Sequence, residues 1–149
     1  MANSSSGVFP VFENKFRINP EGRTGEEGQL VTIAEMETFS VEMDGQVQEW
    51  TPMEAEGWVK RMMTGKGFSL KLQGKRCIGD AGNDYLAQCA WMTGSSCDSE
   101  FEWEFPNGDK LKFDCVVNVS NPGTGDAVDV GALEADIMSH GKPEYTEAV

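Results

Sequence analysis

Residues 101–119 read FEWEFPNGDKLKFDCVVNV. Phe101, Trp103 and Phe105 alternate with Glu102 and Glu104, the two-residue period of a strand with one face buried. Leu111, Phe113, Cys115, Val117 and Val119 carry the same period on the return. Pro106-Asn107-Gly108-Asp109 lies between the two runs. Asn-Gly is the strongest short hairpin signal, because both residues tolerate the positive φ that a tight turn requires. Two long strands joined this way set the expectation for the rest of the chain.

Upstream of this hairpin, the sequence predicts one helix over 83–93. Asp80 or Asn83 can cap it, and Asp84 suits the positive end of its dipole. Tyr85, Leu86, Cys89, Ala90 and Met92 form the apolar stripe, and Gly94 stops it. Further upstream, Phe68, Leu70 and Leu72 alternate with Ser69, Lys71 and Gln73, which predicts another strand. Phe39, Val41 and Met43 do the same, with a bend at Glu35 and Glu37. Asp44-Gly45 reads as a tight turn into a short strand over 46–50. Residues 53–66 read as a loop with one helical turn, since Gly57, Trp58 and Val59 weaken a run of helix formers. Downstream, NPGTGD (121–126) is a loop and 127–138 the last strand region. The sum is mainly β, with hairpin topology, one flanking helix and no βαβ rhythm. It argues for a β-sandwich or barrel-like sheet pair. The organisation is an N-terminal arm over 1–28, a domain over 29–140 and a polar tail over 141–149.

The chain has 149 residues, 12 Lys and Arg against 25 Asp and Glu, and a net charge of −13. Such a surface repels nucleic acid and anionic membranes unless a basic patch is set apart. No apolar run approaches the ~20 residues of a membrane helix. Met1 to Gly7 lacks the basic and apolar regions of a secretory leader, so the chain reads as made in the cytoplasm. Cys77, Cys89, Cys97 and Cys115 contain no C-x-x-C, and reduced, mostly core thiols are expected.

A search for chemistry is negative. His140 is the single histidine, which argues against triads and His-rich metal sites. Gly65-Lys66 has no phosphate-loop glycine at position 60 and no hydroxyl at 67. Glu102 and Glu104 form one face of a strand, not an acid–base pair across a cleft. No enzyme, cofactor or metal is expected. One feature stands out. Lys60, Arg61, Lys66, Lys71, Lys75 and Arg76 are six of the chain's 12 Lys and Arg, and no acid lies among them. In a symmetric ring, a basic edge of this kind can meet an acidic edge on the next copy.

Three stretches carry a resemblance: WTPMEAEGWVKRMMTGKGFSLKLQGKRCIGDAGNDYLA (50–87), FEWEFPNGDKLKFDCVVNV (101–119) and GALEADIMSHGKP (131–143). Together with GVFPVFENKFRIN near the start, they resemble the tail tube (major tail) proteins of long-tailed, non-contractile bacteriophages. The resemblance rests on the order and spacing of these stretches over almost the whole chain. It implies a tail-tube-like β-sandwich with a flanking helix. It also implies a structural virion protein, assembled in the host bacterial cytoplasm. Six copies would form a ring, and stacked rings would make the tube through which DNA is ejected without specific binding. Tape measure, tail tip and terminator proteins would be its partners. Six copies at −13 each carry −78 formal charges, which suits a lumen that DNA must not stick to.

Within that implied assembly, Trp50, Trp58, Lys60, Arg61 and Lys66 are the candidate interface residues. Glu102, Glu104 and Asp114 are the candidate lumen acids, with Glu35, Glu37 and Glu42 as the competing set. Two other readings remain. One is a secretion-system tube protein of related fold. The other is a stand-alone β-sandwich module binding carbohydrate or peptide, with Trp50, Trp58 and Trp91 as an aromatic platform.

Overall fold

The computed structural model describes residues 7–23 and 29–148. Its strands are β1 (Lys15–Ile18), β2 (Val31–Thr32), β3 (Met36–Trp50), β4 (Lys60–Lys75), β5 (Asp98–Glu104), β6 (Lys110–Pro122), β7 (Ala132–Ser139) and β8 (Glu144–Thr146); one helix, α1 (Ala81–Cys89), lies between β4 and β5. All pairings are antiparallel. They join the strands into one sheet in the order β2-β1-β5-β6-β7-β4-β3, with β8 added beside the start of β6.

Alternation puts Phe16, Ile18, Leu70, Leu72, Phe101, Phe113, Cys115, Val117, Leu133, Ala135 and Ile137 on one face, where they are buried. A flat sheet could not cover that face. This sheet rolls until its ends meet: the rings of Phe16 on β1 and Phe39 on β3 lie 4.8 Å apart edge to face, although β5, β6, β7 and β4 separate the two strands in the sheet. Trp103 on β5 closes on Phe39 at 5.4 Å. Such aromatic pairs contribute about 0.5–1.5 kcal/mol each beyond the area they bury. The two facing layers expected from the sequence are therefore made by one curled sheet that does not close.

Helix α1 covers the remaining apolar face with Tyr85, Leu86, Ala87 and Cys89. Its start is tied down in three directions. Asp80 is the cap, accepting from the Asn83 N–H at 3.0 Å and from the Ala34 N–H at 3.1 Å. Asn83 is fully buried. Its amide nitrogen donates to the carbonyls of Ala34 (3.1 Å) and Lys75 (2.9 Å), and its oxygen accepts from Cys77 N–H (2.9 Å) and Arg76 (3.0 Å). At Gly82 a Cβ would sit 2.7 Å from the Thr32 carbonyl, so only glycine lets the helix cross β2 this closely.

Five elements differ from the sequence expectation. The helix runs 81–89 and not 83–93: Ala90, Trp91 and Met92 donate three residues back, to Ala87, Gln88 and Cys89, so the last turn tightens out of the α-helix. Asp44-Gly45 is no turn. Both lie inside β3, opposite Gly67 and Lys66. Most of the expected 53–66 loop is strand, since β4 begins at Lys60 and only Met53–Ala55 make a helical turn. The 1–28 segment is not an arm throughout. Lys15–Ile18 pair with both β2 and β5, with Phe16 and Ile18 in the core; residues 1–6 and 24–28 of it lie outside the described residues. Within the expected polar tail, Glu144–Thr146 pair with β6.

Asn83→Ala should lower stability in urea by about 3 kcal/mol, because buried partners left unsatisfied cost about 1–3 kcal/mol each. Exposed Gln88→Ala should stay within about 0.5 kcal/mol of the parent. An unchanged urea midpoint for Asn83→Ala contradicts the anchoring role.

Candidate assembly surface

The sheet supports only part of its longest hairpin. β7 pairs with β4 from Lys75 to Ser69. β3 and β4 remain paired with each other out to Trp50 and Lys60. Asp44–Trp50 and Lys60–Gly67 therefore form a two-stranded ribbon reaching about 25 Å beyond the third strand, at roughly 3.4 Å per residue. Thr64 is extra opposite the Gln46–Val47 step, where the register shifts, and its hydroxyl donates to the Gln46 carbonyl at 3.3 Å. A bulge of this kind adds twist to the ribbon. Among the described residues, nothing pairs with the outer edge of β3 over its 15 residues.

This ribbon carries the largest collection of exposed apolar side chains. Met43, Val47, Trp50, Val59, Met62 and Met63 line it, and its tip presents Met53 at 99% and Trp58 at 79% exposure. A two-stranded ribbon alone is marginal in water, and an apolar display of this extent marks a contact surface. At the ribbon's base, Val41, Met43, Phe68, Trp103, Leu111 and Pro143 line an apolar cleft of about 240 Å³. Trp50, Trp58, Lys60, Arg61 and Lys66, singled out in the sequence, all fall on the ribbon or its tip. Trp91 lies apart from them, 80% exposed after the helix, so the three tryptophans do not make one platform.

The basic strip divides. Arg61 pairs with Glu49 across the ribbon at 2.8 Å, Lys75 with Glu37 at 3.2 Å and Arg76 with Asp84 at 2.7 Å. Lys60, Lys66 and Lys71 make no ion pair among the described residues. Half of the strip is thus engaged within the subunit and half is available.

The acids divide too. Glu102 and Glu104 are mostly covered, at 13% and 12% side-chain exposure, and both bind Arg17, at 2.8 and 3.3 Å. Lys15 lies 3.8 Å from Glu104, and Lys112 and Lys110 stand opposite the two acids on β6. Burial would lower the Arg17 pKa, but the two carboxylates outweigh it and raise it. The outer face of β1-β5-β6 is therefore close to charge-balanced there, and of its three candidate acids only Asp114 is exposed. In the competing set, Glu37 is held by Lys75 and Glu35 sits at φ 64° before β3.

Glu42 belongs to an uninterrupted polar row on the outer face of β3: Ser40, Glu42, Asp44, Gln46 and Gln48. Beside it, β7 turns Glu134 and Asp136 outward, with Lys71 the cation between them; Asp136, Lys71 and Ser40 are in register. Asp44, Glu134 and Asp136 were not singled out from the sequence. The signal for Glu134 and Asp136 was the alternation in ALEADIMS (132–139), which reads as a strand before it reads as an acidic face.

All four cysteines are free thiols, three of them buried. Burial pushes the Cys89 thiol up to about 11 and raises Cys115 as well.

No protein-family model and no curated protein matches the chain. Solved structures do. A chain in the tail of an empty gene transfer agent particle, refined with C6 symmetry, superposes with a TM-score of 0.68 at 17% identity, over 94% of this chain and 100% of that one. A chain in the virion of a native gene transfer agent particle gives 0.65 at 17% identity, over the same shares. The curled antiparallel sheet with one helix is thus a fold that particles of this kind contain.

The thiolate attacks the alkylating reagent and must be reached by it, so Cys77, half-buried, should label first in the folded protein at pH 8. Cys89 and Cys115 should label only on unfolding, and mass spectrometry should then find four labels. Labelling of Cys115 as fast as Cys77 contradicts the packing described.

Proposed function

We propose that the chain is the tail tube subunit of a phage or phage-like particle, a structural protein without catalytic activity or cofactor. Six copies form a ring, and rings stack into the conduit through which DNA leaves. The observation that carries this reading is the ribbon of β3 and β4. Its exposed apolar side chains and its 15-residue edge, unpaired among the described residues, need a partner. An open sheet edge of that length invites a neighbouring chain. A ring removes the edge by setting it against a strand of the next copy, as closure removes edges in any barrel. The fold shared with a chain in a C6 tail supports six copies and a place in the virion.

In such a ring, the polar row on β3 with Glu134 and Asp136 is the face best suited to the lumen. Carboxylates that lack bound cations repel DNA phosphates, so the duplex slides without adhering. Glu102 and Glu104, already neutralised by Arg17, contribute less. Tape measure, tail tip and terminator proteins are the expected neighbours, and assembly takes place in the host cytoplasm.

Light scattering over a wide concentration range, with negative-stain microscopy of the concentrated protein, tests the reading. Six-fold rings and hollow tubes are expected. A strict monomer, even with the tail tip and its chaperone supplied, overturns it. Shortening the ribbon by replacing 46–65 with Asn-Gly, which joins the paired residues Gly45 and Lys66 by a two-residue turn, should leave a folded monomer that forms neither rings nor tubes.

A further inference from the structure

The ribbon and the 123–131 loop lie at opposite ends of the same sheet. β4 ends where Lys75 meets Ala132 and Pro122 meets Leu133, so the loop from Gly123 to Gly131 forms a rim there. The ribbon leaves from the other end, past Ser69 and Met138. Besides the ribbon and the segment from Val8 to Phe12, large apolar side chains also face water on the rim: Val128 is 95% and Val130 66% exposed, with Ile78 at 85% on the adjoining turn. The Arg76 N–H donates to the Gly131 carbonyl at 2.8 Å and ties that turn to the loop.

The rim is held in shape. The Asn121 side-chain oxygen accepts from the Gly123 N–H (3.1 Å), the Thr124 N–H (2.9 Å) and the Thr124 hydroxyl (2.7 Å). Asp126 N–H donates to the Asp129 carboxylate at 3.1 Å, and Asp129 N–H returns to the Asp126 carbonyl at 2.9 Å. A loop fixed this way presents Val128 and Val130 with little ordering cost left to meet on contact. Its charge is acidic. Asp126, Asp129 and exposed Glu35 stand at this end, and none of the three forms an ion pair among the described residues.

Resting on the tube reading, we infer that the ribbon tip of a copy in one ring docks on the 123–131 rim of a copy in the next ring. Trp58, Met53 and Val59 cover Val128, Val130 and Ile78. Lys60, at the far end of β4 opposite Trp50, faces Asp126 and Asp129. The contact joins different surfaces at opposite ends of the subunit, so it propagates along an axis without closing, which is the geometry a stack requires. Glu54 and Glu56 share the tip, so the apolar groups supply the adhesion and Lys60 sets the register.

The test replaces the exposed Trp58 with p-benzoylphenylalanine, assembles the full-length protein, irradiates it and maps the cross-linked peptides. Cross-links to residues 123–131 or to the Ile78 turn are expected. Assembled tubes whose cross-links fall elsewhere overturn this inference and leave the tube reading standing. A parent protein that never assembles overturns both. As a second arm, Lys60→Glu should leave rings that stack at least tenfold less at low salt. Asp126→Lys with Asp129→Lys should do the same, and combining all three should restore stacking. Stacking of both variants equal to that of the parent overturns the charge pairing and, with it, the proposed register.

Discussion

A β-hairpin roughly twice as long as the strand that supports it sets the terms for this molecule. From Met36 to Met43 and from Phe68 to Lys75, β3 and β4 are ordinary members of a sheet with a packed face. Beyond that point every inward position opens onto water. Met43, Val47 and Met63 continue the apolar side of the core into a region where the subunit supplies no second layer. A backbone edge and an apolar face left open together cost more than either alone, because a neighbour that satisfied one would cover the other. The rest of the fold holds the base of this ribbon rigid. Phe39 is clamped between Phe16 and Trp103, and the Lys75 N–H is bound by the Glu35 carbonyl at 2.8 Å. Gly74 lies so close to Glu35 that a Cβ would stand 2.2 Å from its carbonyl oxygen.

Charge follows the same division. Where the subunit is complete, around β1, β5 and the start of β6, positive and negative groups alternate across the strands and neutralise one another locally. On β3 and β7 they do not. A net charge of −13 is therefore not spread evenly, and the excess gathers on the face that a ring would turn inward and on the rim. High charge alone signals solubility. Its concentration on one sheet face, next to an open edge, is what connects it to a conduit.

The parts of the fold legible in the sequence were those where local pattern and tertiary packing agree. The 101–119 alternation and its Asn-Gly turn gave β5 and β6, and Asp80 gave the start of the helix. The ribbon was missed because its local signals point the other way. Asp44-Gly45 is a turn dipeptide, and Gly65 and Gly67 carry little strand propensity. Asp44 stands opposite Gly67 and Gln46 opposite Gly65, where cross-strand pairing overrides local preference. Lys15–Ile18 hid for a different reason. Four residues are too few to show a period, and their strand character comes from pairing with β5, more than 80 residues away. The interface candidates, picked by charge clustering and apolar content, all fall on the ribbon or its tip. Which acids lack a counter-charge was not legible, since that depends on partners distant in sequence.

Hydrogen–deuterium exchange read on peptides spanning residues 42–50, in dilute subunit and in assembled particles, addresses the central claim most directly. If the edge of β3 is completed by a neighbouring copy, the amides of this stretch that point away from β4 exchange within seconds in the free subunit and become strongly protected on assembly, while peptides of β5 and β6 change little. Equal protection of residues 42–50 in both states would show that the edge is already satisfied within one subunit, and the account of the ribbon as an unfinished part of a larger barrel would fail.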